Sequence, residues 1–535
     1  MKHLKTLTVI STILLIALGL FFRFYKFGQI PPGLNRDGAS IGYTAYSILK
    51  TGHDEYGTKL PLSIRSFGDW KLPLYIYLTI PVIATFDLNE TAVYLVSALS
   101  GLASLVFVFL LVRQLFPQEK LVAYFSLTAL ALLPWHIHFS RYNHEGNLAL
   151  MLTTAAVYCF IKFQQKHKLL IAAALLFSLT LFTYHAYLIF TPLLIAGLTV
   201  IYFPGLKKQK STAFLSLVIF LFFLAAAFKI TLTGNQQKSS IFFFTDQNII
   251  HSQIELPRQK TSNPLIGKFF YNKPIVFGQM FVNRYLNTFS PNFLALKGGG
   301  HPNHDLPDIG NIFFWQYPLF LVGLLIFLKK DRSSKILLAW LMLAPVASSL
   351  TKDAPNSGRV STMIVPLTIL IGLGANFIYR TLKNNKHKLA FFFILGGFLF
   401  FSLINFYQVY FKTFPQMQAK YWGAGYKQLV TFLNQEQYRK KAVIMERPTY
   451  SPYIYFLFYG KYDPEKYQQE TQRYQPDEEG FVHVKSFDRF TFRNFDLNEE
   501  LKTEQLVIIF GEKFSPKLLT IITDFNQTVF TIFGK

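Results

Sequence analysis

The residues with the clearest capacity for chemistry lie in one polar stretch near the N-terminus, residues 24–77. Its charged residues are Lys26, Arg36, Asp37, Lys50, Asp54, Glu55, Lys59, Arg65, Asp69 and Lys71. Asp37 follows a turn rich in proline and glycine and precedes a helical pattern of apolar residues. It could therefore cap that helix, or it could be a general base that takes a proton from a hydroxyl or an amine. The sequence leaves both roles open.

A second candidate, Lys71, lies in the segment Asp69-Trp70-Lys71-Leu72-Pro73-Leu74. A lysine here could extend along an apolar surface and keep its ammonium group in water. It could instead bind the phosphate group of a lipid. A phosphate leaving group needs positive charge rather than a proton, because its oxygen is already a weak base.

Further polar residues follow at the predicted outer ends of later apolar segments. They could be solvated loop residues or helix caps, or they could line one cavity that opens outward. The candidates for substrate binding are Asp69, Arg141, Glu145, Tyr184 and His185, and Arg359 is a second candidate for phosphate. His136 and His138 could chelate a metal if they lay on a strand, but the spacing fixes no third ligand. A divalent metal is therefore possible but not favoured.

The composition is that of a polytopic membrane protein. Of the 535 residues, 51% are hydrophobic and 17% are aromatic, which is too apolar for a soluble enzyme of this length. The net charge of +24 does not indicate a nucleic-acid partner, because the basic residues lie in short clusters between apolar segments. The chain has no Walker or dinucleotide-binding glycine pattern and no GxSxG elbow.

Eleven apolar segments have about the length that crosses a bilayer. They are residues 4–22, 91–112, 121–135, 145–161, 169–184, 186–203, 212–229, 312–328, 336–350, 360–379 and 389–411. With the N-terminus inside, the cytoplasmic segments contain 18 basic residues and two acidic ones, Glu119 and Asp331. This asymmetry satisfies the positive-inside rule, provided that residues 72–86 form a helix on the outer surface.

The expected architecture is an α-helical polytopic membrane protein with about eleven transmembrane helices and a small extracytoplasmic α/β domain. The membrane domain covers residues 1–411, with large outer loops at 23–90 and 230–311. The α/β domain covers residues 412–535, where candidate strands alternate with helical segments. The plasma membrane is the expected location.

The order of these motifs resembles the GT-C superfamily of polytopic glycosyltransferases, and in particular the bacterial relatives of protein O-mannosyltransferases and of the lipid A aminoarabinose transferase. The resemblance covers residues 1–410. It rests on RDGASIGYTAYSIL after the first span, on Lys71-Leu72-Pro73-Leu74, and on FSRYNHEGNL near the fourth span. One departure is Gly38, which stands where many relatives carry a second acidic residue.

The resemblance implies a sugar donor carried on polyprenyl phosphate and an inverting transfer to a lipid, glycan or protein acceptor at the outer face of the membrane. It also implies that Asp37 is the catalytic base and that Lys71 binds the donor phosphate. Inverting chemistry places the base across the sugar from the leaving group, so Asp37 and Lys71 are expected to flank the sugar. The alternative is a transporter or flippase of a lipid-linked sugar, although the predicted spans contain few of the charges that such proteins carry.

Overall fold

The computed structural model describes residues 2–234, 241–327, 332–477 and 480–534. In these ranges the protein is mostly helical. The helices are α1 (Lys2–Phe24), α2 (Arg36–Thr51), α3 (Pro73–Phe86), α4 (Glu90–Leu115), α5 (Lys120–Ala131), α6 (Pro134–Phe139), α7 (Glu145–Lys162), α8 (Leu169–Thr180), α9 (Tyr187–Lys208), α10 (Lys210–Gly234), α11 (Gln247–Ile250), α12 (Leu256–Lys260), α13 (Pro264–Phe270), α14 (Lys273–Asn287), α15 (Gln316–Phe327), α16 (Arg332–Leu343), α17 (Val346–Ser349), α18 (Ile364–Thr381), α19 (Asn385–Gln408), α20 (Phe414–Gln418), α21 (Tyr426–Leu433), α22 (Tyr453–Gly460), α23 (Pro464–Glu470) and α24 (Leu497–Glu500).

The strands are fewer, and most of them lie in the C-terminal quarter of the chain. They are β1 (Ile64–Ser66), β2 (Asp69–Lys71), β3 (Val443–Met445), β4 (Gln472–Arg473), β5 (Val484–Phe487), β6 (Phe490–Phe492), β7 (Leu506–Phe510), β8 (Leu518–Asp524) and β9 (Gln527–Phe533).

Each of the eleven predicted spans overlaps helical structure in the described residues, although the span 121–135 is divided between α5 and α6. Within the described residues, five segments are long and apolar enough to cross a bilayer, by length and composition: Glu90–Leu115, Tyr187–Lys208, Lys210–Leu232, Ser361–Thr381 and Asn385–Tyr421. The predicted span 336–350 is not one helix, because α16 and α17 are separated at Pro345, which has no amide proton to continue the helix. The count of eleven stays a prediction.

The chain forms two units, and the first comprises Met1–Tyr25, Ser97–Ser140 and His144–Val409. Helix α18 is largely enclosed, with every residue from Ile364 to Asn376 buried. Helices α5 and α15 pack against α18. Glycine makes the contact with α15 close, because a methyl group on Gly323 would collide with the Leu370 carbonyl group. Such small residues at helix contacts are typical of membrane proteins.

The second unit comprises Lys26–Val96, Arg141–Asn143 and Tyr410–Lys535. It contains a seven-stranded sheet with the order β4-β5-β6-β3-β7-β9-β8, in which β3 is parallel to both β6 and β7 and the other pairs are antiparallel. The first polar loop belongs to this unit, because α2 packs on α22 as well as on α3. The predicted division into a membrane domain, residues 1–411, and an α/β domain, residues 412–535, stays a prediction.

Candidate functional site

Asp37 lies in the first turn of α2, and it is not the residue that caps this helix. The cap is Asn35, whose side-chain oxygen accepts the Gly38 amide proton at 2.7 Å. The capping role considered for Asp37 from the sequence is therefore wrong, because Asn35 already satisfies that donor. Asp37 contributes a negative charge at the positive end of the helix, which is a favourable position.

Lys71 is positioned by a short antiparallel hairpin. Strands β1 and β2 pair Ile64 with Lys71, and the two residues between the strands, Phe67 and Gly68, both have positive φ angles. The hairpin is held in place by the Phe67 carbonyl, which accepts the Val482 amide proton at 2.9 Å. Asp69, which the sequence predicts to be a substrate contact, belongs to β2. Only its backbone is among the described parts of the structure.

Helix α2 and the hairpin bring Asp37 and Lys71 into direct contact. The Ser40 and Ser66 hydroxyl groups, one on each element, share a hydrogen bond of 2.6 Å. The Lys71 ammonium group then lies 2.7 Å from the Asp37 carboxylate, with side chains that are 9% and 52% exposed, respectively. The two groups are therefore in direct contact in this structure, and the expectation that they flank a bound sugar stays a prediction. A buried ammonium group needs a nearby anion, and Asp37 is within its reach.

A buried carboxylate that the sequence analysis did not assign to the site, Glu55, lies in the same unit. The Tyr453 hydroxyl donates a hydrogen bond of 3.1 Å to its side chain, and the Arg473 guanidinium donates one of 3.3 Å to its carbonyl group. Burial raises the pKa of Glu55 to about 7, although Arg473 and the Tyr453 hydrogen bond oppose this rise. The only signal in the sequence was the adjacent acidic pair Asp54-Glu55 in the first polar stretch.

Arg141 has contacts that indicate a structural role. It is fully buried, and its guanidinium donates hydrogen bonds to the carbonyl groups of Ile30 at 2.8 Å and Lys26 at 3.3 Å. The same group lies 5.2 Å from the ring centre of Tyr410 and 5.1 Å from that of Phe411. These contacts connect the start of the polar loop to the start of the C-terminal segment. The predicted substrate contact stays a prediction.

The other predicted site residues belong to the first unit. Arg359 forms an ion pair with Asp353 and donates a hydrogen bond of 3.1 Å to the Thr351 hydroxyl. Burial raises the pKa of Asp353, but the charge and hydrogen bond of Arg359 outweigh burial, so this pKa is lowered overall. The predicted phosphate contact of Arg359 stays a prediction.

Tyr184 lies beside a cluster of imidazole rings in the first unit. Its ring centre is 5.8 Å from that of His144, which lies 5.5 Å from His304, and His304 stacks on His301 at 4.2 Å. Burial lowers the pKa of His304, and so do the neighbouring imidazoles and Arg359. This cluster was missed because sequence spacing does not relate residue 144 to residues 301–304.

Glu145 begins α7 directly after His144, and His185 lies between α8 and α9. Substrate contacts by Glu145, Tyr184 and His185 stay predictions.

His136 and His138 do not lie on a strand, so the chelating geometry considered for them is wrong. Both are on α6, where residues two apart point in different directions. The Arg23 guanidinium donates to His136 Nδ1 at 2.8 Å, while His138 Nε2 lies 3.0 Å from the Asn303 carbonyl oxygen. In the described part of the chain, no group of three or more His, Cys, Asp or Glu residues could hold a metal ion.

Comparison with known proteins identifies the class of fold. Residues 71–228 match the family described as dolichyl-phosphate-mannose-protein mannosyltransferase. The matched region begins at Lys71 and does not include Asp37. Comparison with curated protein sequences gives no match. The resemblance to the GT-C superfamily of membrane glycosyltransferases is confirmed by this region and by the similarity of the fold to solved structures.

Two solved structures illustrate the fold. ArnT from Cupriavidus metallidurans bound to undecaprenyl phosphate superposes with a TM-score of 0.54 at 13% identity, covering 99% of this chain and 98% of ArnT. The archaeal oligosaccharyltransferase AglB from Archaeoglobus fulgidus, in complex with an inhibitory peptide and a dolichol-phosphate, has a TM-score of 0.50 at 13% identity. That superposition covers 85% of this chain and 64% of AglB.

Proposed function

We propose that this protein transfers a sugar from a polyprenyl-phosphate donor to an acceptor at the outer face of the membrane, with inversion at the anomeric carbon. The observation that carries this proposal is the contact of 2.7 Å between Asp37 and Lys71. It places a carboxylate that can accept a proton beside a cation that can bind phosphate, within one well-packed unit.

Lys71 is the proposed ligand of the donor phosphate. Its side chain is held by the β1–β2 hairpin and is mostly buried, so its charge is little screened by water. The ammonium group has three protons to donate, and it can hold a phosphate oxygen as well as Asp37 during the approach of the donor. The solved structures of ArnT and AglB contain undecaprenyl phosphate and a dolichol-phosphate, respectively, which supports this class of donor.

Asp37 is the proposed general base, and this role requires the ion pair to open. A phosphate oxygen bound to the same ammonium group would lie within about 5.5 Å of the carboxylate. Inverting enzymes that place a nucleophile between two carboxyl groups keep those groups about 6.5 to 9.5 Å apart. We therefore propose that the donor phosphate replaces Asp37 at Lys71, which releases the carboxylate to accept the proton of the attacking acceptor.

Arg141 and Glu55 have supporting roles in this proposal. Arg141 fixes the carbonyl groups at the start of the loop that leads to α2, and it does so from a fully buried position. Glu55 interacts with Tyr453, whose ring is 6.0 Å from that of Phe67 in the turn of the Lys71 hairpin. We propose that both residues hold the site in position rather than contact the sugar.

The test uses purified protein in lipid vesicles with a panel of polyprenyl-phosphate sugars that includes hexoses and pentoses. We expect at least one donor to lose its sugar, to water or to an added acceptor, and the product to have the inverted anomeric configuration. The Lys71→Ala variant is the control for release that does not depend on this site. If wild type and control release sugar equally from every donor, or if the product retains its configuration, the proposal is wrong.

A further inference from the structure

A short helical hairpin in the first unit exposes an unusual number of large apolar residues. It consists of α12 and α13 with the turn between them, and here it is called the α12–α13 hairpin, residues 256–271. On α13, Leu265 is 77% exposed, Phe269 is 65% exposed and Phe270 is 54% exposed, and Ile266 is also exposed. Single exposed apolar residues are ordinary, but four on one helix of seven residues form a patch that indicates a partner.

The hairpin has a defined structure that presents this patch outward. The Arg258 guanidinium donates two hydrogen bonds, of 3.0 Å and 2.5 Å, to the Tyr271 carbonyl oxygen and so closes the base of the hairpin. The Asn263 side chain caps α13 by accepting the Leu265 amide proton at 2.9 Å. Gly267 is buried against Arg258, because a methyl group there would lie 3.1 Å from the Arg258 carbonyl oxygen. The apolar residues occupy the other side of the helix.

The charge of the segment identifies the kind of partner. Residues 256–273 contain Arg258, Lys260, Lys268 and Lys273 and no acidic residue. The three lysines are exposed, and none of them forms an ion pair with the residues that the structure describes. Aromatic and aliphatic residues flanked by lysines are typical of helices that lie in the interface of a bilayer with anionic lipids.

The hairpin is followed by a helix that is fixed to the rest of its unit. Helix α14 begins at Lys273, and its Tyr285 hydroxyl donates a hydrogen bond of 2.7 Å to the Met342 carbonyl oxygen. On the same helix, the Arg284 guanidinium lies 4.6 Å from the ring centre of Phe243. The hairpin is thus attached to α14, a helix that side-chain contacts fix within the first unit.

We infer that the α12–α13 hairpin binds the surface of an anionic membrane. Leu265, Ile266, Phe269 and Phe270 enter the boundary between headgroups and acyl chains, and the three exposed lysines bind lipid phosphate groups. This inference is independent of the proposed transfer activity. It adds an interaction surface for lipid headgroups on a segment that the candidate site does not include.

The test measures the depth of a spin label in vesicles. The chain has a single cysteine, Cys159, so a Cys159→Ala background permits one label at a chosen position. The label is attached through Phe269→Cys and, as a matched control, through Gln437→Cys, an exposed position in the second unit. Collision rates with oxygen, which concentrates in lipid, and with a water-soluble nickel chelate are compared in phosphatidylcholine vesicles with and without phosphatidylglycerol.

We expect the label at position 269 to collide with oxygen more than with nickel when phosphatidylglycerol is present, while the control label collides freely with nickel. Replacing Lys260, Lys268 and Lys273 by glutamine should reduce this protection at least about threefold, with the thermal midpoint of unfolding unchanged. Equal nickel access at both positions would show a solvated surface and overturn the inference. Protection without dependence on phosphatidylglycerol or the lysines would exclude anionic lipid as the ligand.

Discussion

The Asp37 carboxylate and the Lys71 ammonium group lie 2.7 Å apart although 34 residues separate them in the chain. One residue is half-exposed in the first turn of a helix, and the other is mostly buried at the end of a two-stranded hairpin. An ion pair in this arrangement holds Lys71 in place. In the proposed function, Asp37 therefore competes with the donor phosphate for Lys71, and the pair must separate before Asp37 can accept a proton.

The first prediction concerns the charge at position 71. Lys71→Ala should reduce affinity for a polyprenyl-phosphate sugar at least about tenfold, which corresponds to about 1.4 kcal/mol. Lys71→Arg should lose less, because the charge remains although the planar guanidinium differs in shape. Isothermal titration in detergent measures the affinity, with Lys50→Ala as a control for an exposed lysine of the same unit. Unchanged affinity in Lys71→Ala would remove the phosphate role.

A second prediction concerns the buried carboxylate Glu55. Its pKa rises from 4.5 in the unfolded chain to about 7 in the folded protein, mainly because of burial. The folded state therefore binds the proton more tightly, and this contributes about 3 kcal/mol of stability at low pH. The contribution is complete below a pH of about 4.5 and is lost as the pH rises through about 7.

This prediction is tested by measuring the midpoint of thermal unfolding in detergent from about pH 5 to about pH 8. Glu55→Gln keeps an acceptor for the Tyr453 hydroxyl but cannot ionise, so its unfolding midpoint should decline less than that of wild type as the pH rises. Glu436→Gln is the matched control, since the Glu436 side chain is 92% exposed. Parallel pH profiles for wild type and Glu55→Gln would contradict the assignment.

A third prediction separates a structural role of Arg141 from substrate binding. Arg141→Lys replaces a planar group that donates to two carbonyl oxygens and lies over aromatic rings, so we expect a loss of about 2 kcal/mol in unfolding free energy. Donor affinity, measured well below the unfolding midpoint, should stay within about twofold of wild type. A variant of normal stability that fails to bind donor would instead support the substrate contact predicted from the sequence.

A fourth prediction concerns topology. The distribution of 18 basic and two acidic residues predicts that reporter fusions after Lys168 and after Lys412 lie on opposite sides of the membrane. A reporter active only in the cytoplasm should give signal at Lys168 and none at Lys412. Signal at both positions would overturn the predicted orientation.

Much of the helical structure was predictable, because long apolar segments have few alternatives to helix in a bilayer. In the C-terminal quarter, the β-branched and aromatic residues of β7, Leu506–Phe510, are typical of a strand. The capping role of Asp37 was left open by the sequence because Asn35 and Asp37 are both good capping residues, and only the hydrogen bond to Gly38 distinguishes them.

The parts of the site that the sequence did not predict depend on contacts between distant residues. Residues 26–96 pack with 410–535, so Glu55 meets Tyr453 across 398 positions of sequence. The two histidines of α6 were considered as a strand because six residues are too few to define a helical period. In each case the local pattern was compatible with more than one structure, and tertiary packing decided between them.

The most direct test of the proposed function is the separation of donor binding from transfer in Asp37→Asn. The Asn35 cap is untouched by this change, so the helix should form normally, and the donor phosphate no longer competes with a carboxylate for Lys71. We predict donor affinity equal to or higher than that of wild type and a transfer rate lower by at least about 100-fold. Asp87→Asn is the control, because it removes a carboxylate that is paired with Lys461 elsewhere in the same unit. A folded Asp37→Asn protein that binds donor and transfers sugar within a few-fold of the wild-type rate would show that Asp37 is not the base.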